Sequence, residues 1–474
     1  MRDKVGDMET VNKFDVLVIG GGIAGLTAAK TVAVSGRRVG VVEQGKLGGE
    51  YIYNYDVPAE IGLNAVRAMF SLEAIQRFGA KKRTMSLSLA GLERERNEVV
   101  KNVEGYWGEE AIKRDGVEII KGRARFVDGE VEVVSTHEAA SKAKGGAPKS
   151  KKRLAATRYI IATGSTLNQG GITVANKVKI WTPTDVWTAV RLPKTLMIIG
   201  AGMSGVEMAY YAPKLGLRVV LIDRENRLLP NEDEEVGRFY SAMFAKLGRV
   251  STVLGAEVES VGEKELILRR GNTKKSLPIT GTSQVVLATG QLPNVEALGL
   301  DTIGVKIGKN GIVVDRGLTT SNSRVYAAGT CVDDVPSDLA MLMGKTAALS
   351  IISRNAPIMS GASSPRTLGL TPSYARIGAT ETELRLKNAR YKKSVVLLSE
   401  IPRGRIAGGD GFVCVLSDVK ARIIGAKIIA PEAESMILAL AAAVKYQMTV
   451  DELLKVPVPL DSWNEAIRLA LTRL

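Results

Sequence analysis

Residues 14–22 form a largely apolar, β-branched run of strand length that ends in glycines, and residues 23–35 continue with small and apolar side chains at helical spacing. This predicts strand, tight turn and helix. A second strand is predicted at 38–42, stopping at Glu43, so the pieces make a βαβ unit. The pattern returns later: apolar residues 195–200, a turn at 201–205, a helix to Lys214 and a strand at 218–222 that stops at Asp223. Two copies a domain length apart read as duplication of a binding module, not as a short repeat. Residues 159–164 and 285–290 are strand-like, share the ending Ala-Thr-Gly, and are each expected to return the chain to a sheet. Helical patterns occupy 65–78 and 92–107. After Ile358 the composition turns to Ser, Pro and Gly, a predicted boundary. Beyond it, strand-like runs at 394–398, 411–416 and 423–429 accompany an alanine-rich helix at 432–445, an α+β unit without a phosphate loop.

At 474 residues the chain is long enough for several domains of about 100–200 residues each. Lys and Arg total 65 against 50 Asp and Glu, a formal charge of +15. The excess is dense only at 141–153, expected as a solvated hairpin tip. No specific nucleic-acid partner is therefore expected, and weak peripheral contact with an anionic membrane is all the charge allows. Cys331 and Cys414 are the only cysteines and His137 the only histidine, too few for a disulfide framework, a multi-cysteine metal site or a histidine-based triad. Both cysteines read as small buried hydrophobes and His137 as exposed. No apolar run of about 20 residues occurs, and the polar tail at 1–13 does not resemble a secretory leader, so a soluble cytoplasmic protein is expected.

The first turn carries Gly20, Gly22 and Gly25 in a G-x-G-x-x-G between strand and helix, with Glu43 at the end of the next strand. Such glycines permit a tight turn and close approach to a pyrophosphate, whose charge meets the helix N-terminus, while the acid accepts from ribose hydroxyls. Gly200, Gly202, Gly205 and Asp223 repeat the arrangement. Two dinucleotide sites in one chain match hydride transfer between a nicotinamide and a flavin. Asp223 favours NADH; Arg224 and Arg227 leave NADPH open.

The order GGGIAGLTAA, VVEQGKLGG, IIATGS, IIGAGMSGVE, LATGQLPN, GIVVD and VYAAGT resembles the pyridine nucleotide-disulfide oxidoreductases, especially the dihydrolipoamide dehydrogenase branch. The tail, with TPSYARIGATETEL, GFVCVLSD, IIGAKIIAPEAESMI and MTVDELL, resembles that family's dimerisation domain. The resemblance implies an α/β chain with two Rossmann-like domains, for FAD and NAD(P)H, and a C-terminal α+β dimerisation domain. FAD would take 14–165 and 286–357, the nicotinamide nucleotide 166–285, and the dimer contact 358–474, after a disordered tail at 1–13. Gly48, Gly49, Ala124, Thr163, Gly164, Gly329 and Thr330 are then further flavin contacts and Gly290 a further nucleotide contact. A homodimer is implied.

The family's Leu-Gly-Gly leads into two cysteines with four residues between them, then a lysine. Pro58 aligns the stretch without a gap, so the cysteine positions hold Tyr51 and Asp56 and the lysine position holds Glu60. No relay disulfide can form there. Val458 stands at the family's catalytic histidine, with Glu465 as its retained acid. Asp56 reads as a helix N-cap and also as a residue beside the flavin. Glu207 occupies the place of the glutamate that the family pairs with the missing lysine. Glu60 and Glu207 are expected either to share a proton or to part, with Glu60 turning to an Arg or Lys. Tyr51, Tyr53 and Tyr55 either line an acceptor path or plug a vacated one. The function read from this is an FAD-dependent NAD(P)H dehydrogenase serving a small non-disulfide acceptor such as a quinone or dye, with Tyr51, Asp56, Glu60 and Glu207 as candidate catalytic residues. The rivals are a transhydrogenase, a flavoprotein partner subunit, and a disulfide reductase that borrows another protein's thiols.

Overall fold

The computed structural model describes residues 12–81, 87–135, 151–353, 359 and 364–474. His137, the basic run at 141–150 and most of the tail at 1–13 lie outside the described residues. The chain divides into two compact units: Met1–Ala59, Arg94–Asn168 and Gln291–Met359 form one, and Glu60–Glu93, Gln169–Gly290 and Ser360–Leu474 the other.

In the first unit the strand Asn12–Ile19 pairs in parallel with Val39–Glu43 on one side and Lys151–Ile161 on the other. Val117–Lys121 extends the sheet past Val39–Glu43, and Val325–Ala327 runs parallel to the end of Lys151–Ile161. Phe14, Val16, Leu17, Val18 and Ile19 are buried because the inner part of a central parallel strand is covered on both faces, hence the apolar run at 16–19, while Asp15 nearer the strand's start stays exposed. The start of Lys151–Ile161 instead pairs antiparallel with Glu130–Val134, which pairs with Arg123–Val127. Residues 151–153 are thus strand, not the hairpin tip expected from their charge. Their side chains stay exposed and Lys151 meets Glu132 at 3.1 Å. The helix Ile23–Val34 packs on Ser337–Ile352 so closely that a β-carbon on Gly344 would overlap the Ala24 carbonyl.

The second unit orders Val250–Leu254, Arg218–Asp223, Thr195–Ile199 and Ser283–Leu287 in a parallel sheet. The helix expected to reach Lys214 is Met203–Tyr211, followed by a 3₁₀ turn Ala212–Leu215, because Pro213 has no N–H for the α-helical ladder. A further sheet of Thr273–Pro278, Glu265–Arg270, Glu257–Val261 and Thr173–Val174 was not legible beforehand. The C-terminal sheet is antiparallel, ordered Arg366–Leu368, Ser373–Gly378, Ile423–Ala430, Phe412–Ser417 and Lys392–Leu397. The helices Ala433–Lys445 and Glu465–Thr472 close a core over it that includes Val413, Ile428, Leu440 and Ile467.

Buried Lys427 ties these parts of the second unit together, its ammonium 2.6 Å from Asp233, 2.5 Å from Glu235 and 3.3 Å from Glu381. Asp233 begins the helix Glu234–Leu247, so the ion network links that helix to the C-terminal sheet. The three carboxylates converge on an ammonium that already serves as their cation. No described helix is long and apolar enough to cross a membrane.

Candidate functional site

Each glycine turn follows the strand about which its parallel sheet reverses order, the place where open sheets bind ligands. Gly20 has φ +109°, and a β-carbon there would overlap the Ala162 carbonyl; one on Gly25 would overlap the Gly20 carbonyl. Gly200, at φ +112°, crowds the Ala288 carbonyl in the same way, and Gly205 crowds Gly200. Gly22 and Gly202 instead face open space and begin helices that no side chain caps. The acids repeat as well. Glu43 accepts from the amides of Gly21 and Gly45, both at 2.6 Å, and Asp223 from those of Ala201 at 2.5 Å and Glu225 at 2.7 Å. An uncapped helix N-terminus, room at the middle glycine and a carboxylate fixed at the rim fit the pyrophosphate and ribose of a dinucleotide.

The first unit gathers its other expected contacts around this turn. Gly48, at φ +100°, donates to the Gly21 carbonyl at 2.7 Å, and Gly49 follows at φ +52°. Thr163 donates to the Asn294 carbonyl at 2.7 Å and receives the Asn294 amide at 3.1 Å, while Gly164 accepts from the Asn294 backbone at 2.9 Å. Gly329, at φ +82°, stands against Ala24, and Thr330 lies beside Gly164. Ala124 is buried just past Gly122, whose amide donates to the Glu43 carbonyl at 2.9 Å. In the second unit Gly290 has φ +90° and open space. Arg227 is committed to the carbonyls of Glu232 and Pro230, whereas Arg224 is exposed beside Glu225.

The stretch after Gly49 is a π-helical turn, Glu50–Asn54, running into the helix Asp56–Ala74. That helix starts earlier than the periodicity indicated and ends in a 3₁₀ turn, Ile75–Phe78. Asp56 is its first residue and not its cap, so its charge meets the positive end of the helix dipole, and it accepts from the Ser337 hydroxyl at 2.7 Å. Glu50, which sequence reasoning missed, has its carboxyl raised by desolvation, lowered by a Gln291 hydrogen bond and raised again by the Asp56 charge, for a net upward shift. The resemblance drew attention to the cysteine positions and past this neighbour. Tyr51 packs against the core of the unit, while Tyr53 donates to Glu104 at 2.6 Å under the Lys46 ammonium, so the two rings serve different neighbours.

In the second unit Glu60 is paired with Arg67, the parted arrangement of the two weighed. Glu207 is nonetheless pushed up to about 7, first by burial and then by the Glu60 charge, against the Gly369 amide and Arg67. Arg67, Gly369, Tyr211 and Glu434 were not singled out from sequence: the first three lie outside the family-like motifs, and Glu434 lies in IIGAKIIAPEAESMI, which the resemblance ties only to dimerisation. Glu465 is held by Arg468 at 2.9 and 2.5 Å. Cys331 and Cys414 are both buried; burial raises their thiols to about 11 and about 12.

Two such loops, each with its own sheet and rim carboxylate, define a protein built for two dinucleotides. The chain belongs to the pyridine nucleotide-disulphide oxidoreductase family, which it matches over residues 14–347, and it matches that family's dimerisation domain over 364–470. It is therefore an oxidoreductase and a flavoprotein of a family that depends on FAD and uses NAD(P)H. Among its relatives are mercuric reductase of Bacillus cereus, 28% identical over 97% of this chain and 71% of that one, and leghemoglobin reductase of Vigna unguiculata, 27% identical over 96% and 86%. The fold is shared with LpdA from Mycobacterium tuberculosis, at a TM-score of 0.84 and 22% identity over 98% of this chain and 99% of that one. It is also shared with the HOCl-induced flavoprotein disulfide reductase RclA from Escherichia coli, at 0.78 and 20% over 97% and 99%.

Proposed function

We propose that this protein is an FAD-dependent NAD(P)H dehydrogenase that reduces a small non-disulfide acceptor, such as a quinone or dye. What supports the reading is the resemblance that puts Tyr51 and Asp56 at the dithiol positions, together with two cysteines that are both buried and held protonated. A thiol pushed to about 11 or 12 supplies almost no thiolate at neutral pH. FAD, when bound, supplies the two-electron carrier between nicotinamide and acceptor. Gly20, Gly22, Gly25, Glu43, Gly48, Gly49, Ala124, Thr163, Gly164, Gly329 and Thr330 would hold it. Gly200, Gly202, Gly205, Asp223 and Gly290 would hold the nicotinamide nucleotide, with NADH preferred because Arg227 is occupied by carbonyls.

The raised carboxyls, Glu207 in the second unit and Glu50 in the first, are each candidates to hold and deliver a proton as an acceptor is reduced, with Asp56 acting on Glu50 through its charge. The dimerisation-domain match favours a homodimer. The same reading divides the chain at 14–165 with 286–357 for FAD, 166–285 for the nicotinamide nucleotide and 358–474 for the partner copy. Reduction of a disulfide is favoured by the name of a structural neighbour and would require thiols from elsewhere.

The deciding experiment is anaerobic titration with NADH and NADPH, followed by turnover with quinones, dyes, oxygen, lipoamide and glutathione disulfide. Bleaching of the flavin with turnover of quinone or dye alone is expected. Rapid lipoamide turnover by the purified chain would overturn the reading.

A further inference from the structure

Glu60 and Arg67 are separated by seven residues, two helical turns, and therefore share one face of Asp56–Ala74. Arg67 is engaged twice. One guanidinium nitrogen pairs with Glu60, and Nε donates to the Gly369 carbonyl at 3.2 Å. The Gly369 amide donates in turn to Glu207 Oε1 at 3.3 Å, and Tyr211, on the same helix as Glu207, donates to the Gly369 carbonyl. A β-carbon on Gly369 would meet the movable end of Arg67, its guanidinium, and stand 3.4 Å from Glu207 Oε1. Glycine at 369 thus leaves the Arg67 guanidinium where it lies against this peptide.

The groups that act on Glu207 are Glu60 and Arg67 from Asp56–Ala74, the Gly369 amide, and Glu434 from Ala433–Lys445, with the Tyr211 phenol coupled to it from its own helix. Glu434 is itself engaged by the Ser373 hydroxyl at 2.5 Å. With an acid at position 60 and no other cation in this set, Glu207 would face two carboxylates and only the Gly369 amide to offset them.

We infer that Arg67 is a positioning residue standing in, from two turns along the helix, for the cation missing at position 60: it draws Glu60 aside, holds the Gly369 peptide against Glu207, and leaves Glu207 as the carboxyl that takes up and releases a proton. This rests on the reading of Glu207 as a proton-holding group of the oxidoreductase site and names what controls it. Arg67 acts through Glu60 and Gly369.

Infrared titration of the holoprotein, reading the protonated-carboxyl band that Glu207→Gln abolishes, measures the Glu207 midpoint. Arg67→Met removes a cation and frees Glu60, so the midpoint should rise by about one pH unit. Arg67→Met with Glu60→Gln removes opposite charges together and should restore the parent midpoint, a rescue that simple loss of packing would not give. Gly369→Ala displaces the guanidinium while sparing every charged group and should shift the midpoint in the direction of Arg67→Met, which keeps the test readable if that variant does not fold. An unchanged midpoint in Arg67→Met or Gly369→Ala, or one that stays raised in the double variant, overturns the inference. The titration uses no nicotinamide, so failure of NADH and NADPH to reduce the protein would defeat the proposed function and leave this result standing.

Discussion

The Arg67 guanidinium pairs with the Glu60 carboxylate two turns back on the same helix, and this pair sets the surroundings of Glu207. Glu207 is raised from 4.5 to about 7, so the folded chain holds its proton more tightly than the unfolded chain does. The stability this gives is complete below 4.5 and is lost as the pH climbs through about 7. Glu207→Gln should flatten the stability profile across that window and leave the variant more stable than its parent above it. Urea midpoints measured across the range check the sign.

The two glycine turns should fail independently. Gly25→Val drives a side chain into the Gly20 carbonyl and should yield protein without bound flavin, seen as loss of visible absorbance. Gly205→Val, which collides with the Gly200 carbonyl, should keep the flavin and lose its reduction by nicotinamide nucleotides.

Asp223 should set nucleotide preference. Its carboxylate can accept from a ribose hydroxyl, and hydrogen bonds to charged groups contribute about 1.5–3 kcal/mol. Asp223→Ala should lower kcat/KM for NADH by roughly 10- to 100-fold and affect NADPH much less. Steady-state kinetics with both nucleotides decide it.

Neither thiol should matter to turnover. With Cys331 raised to about 11 and Cys414 to about 12, both buried, the native protein should resist alkylation at neutral pH and react only when unfolded. The Cys331→Ser and Cys414→Ser variants should each retain quinone or dye reduction, which mass-resolved labelling and activity assays would follow together.

Lys427→Met should destabilise the chain by about 3–5 kcal/mol, because it leaves Asp233 and Glu381 buried without their shared ammonium. Thermal and denaturant unfolding would show the loss. Adding Asp233→Asn should recover part of it.

The parts of this fold that the sequence disclosed are those whose physics is local. A strand segment covered on both faces is a run of apolar residues, and a turn pressed against a carbonyl must be glycine, so residues 16–19, residues 196–199 and both glycine turns are legible in the sequence. Lys151–Ile161 could be read only at its buried end, since its first residues keep charged side chains in water and look like loop. The sheet around Glu257–Val261 escaped because its short, half-exposed strands carry a weaker period. Within the site, Glu60 and Glu207 were reachable through motif positions, and the alternative in which Glu60 turns to an arginine was open. Which arginine, and its place against Gly369, depend on a helix face meeting a segment distant in sequence. No spacing rule encodes that meeting. Asp56 was displaced from its expected capping role by one residue of helix, a margin too fine for a pattern to resolve.

The helix that begins at the first glycine turn owes its resting place to Gly344, a residue far along the chain that packs on Ala24 within that turn. Ser337–Ile352 sits flush against it only for want of a methyl group. Adding that one carbon would wedge the two rods apart, so flavin retention should be sensitive to a site that no survey of ligand contacts would think to mutate.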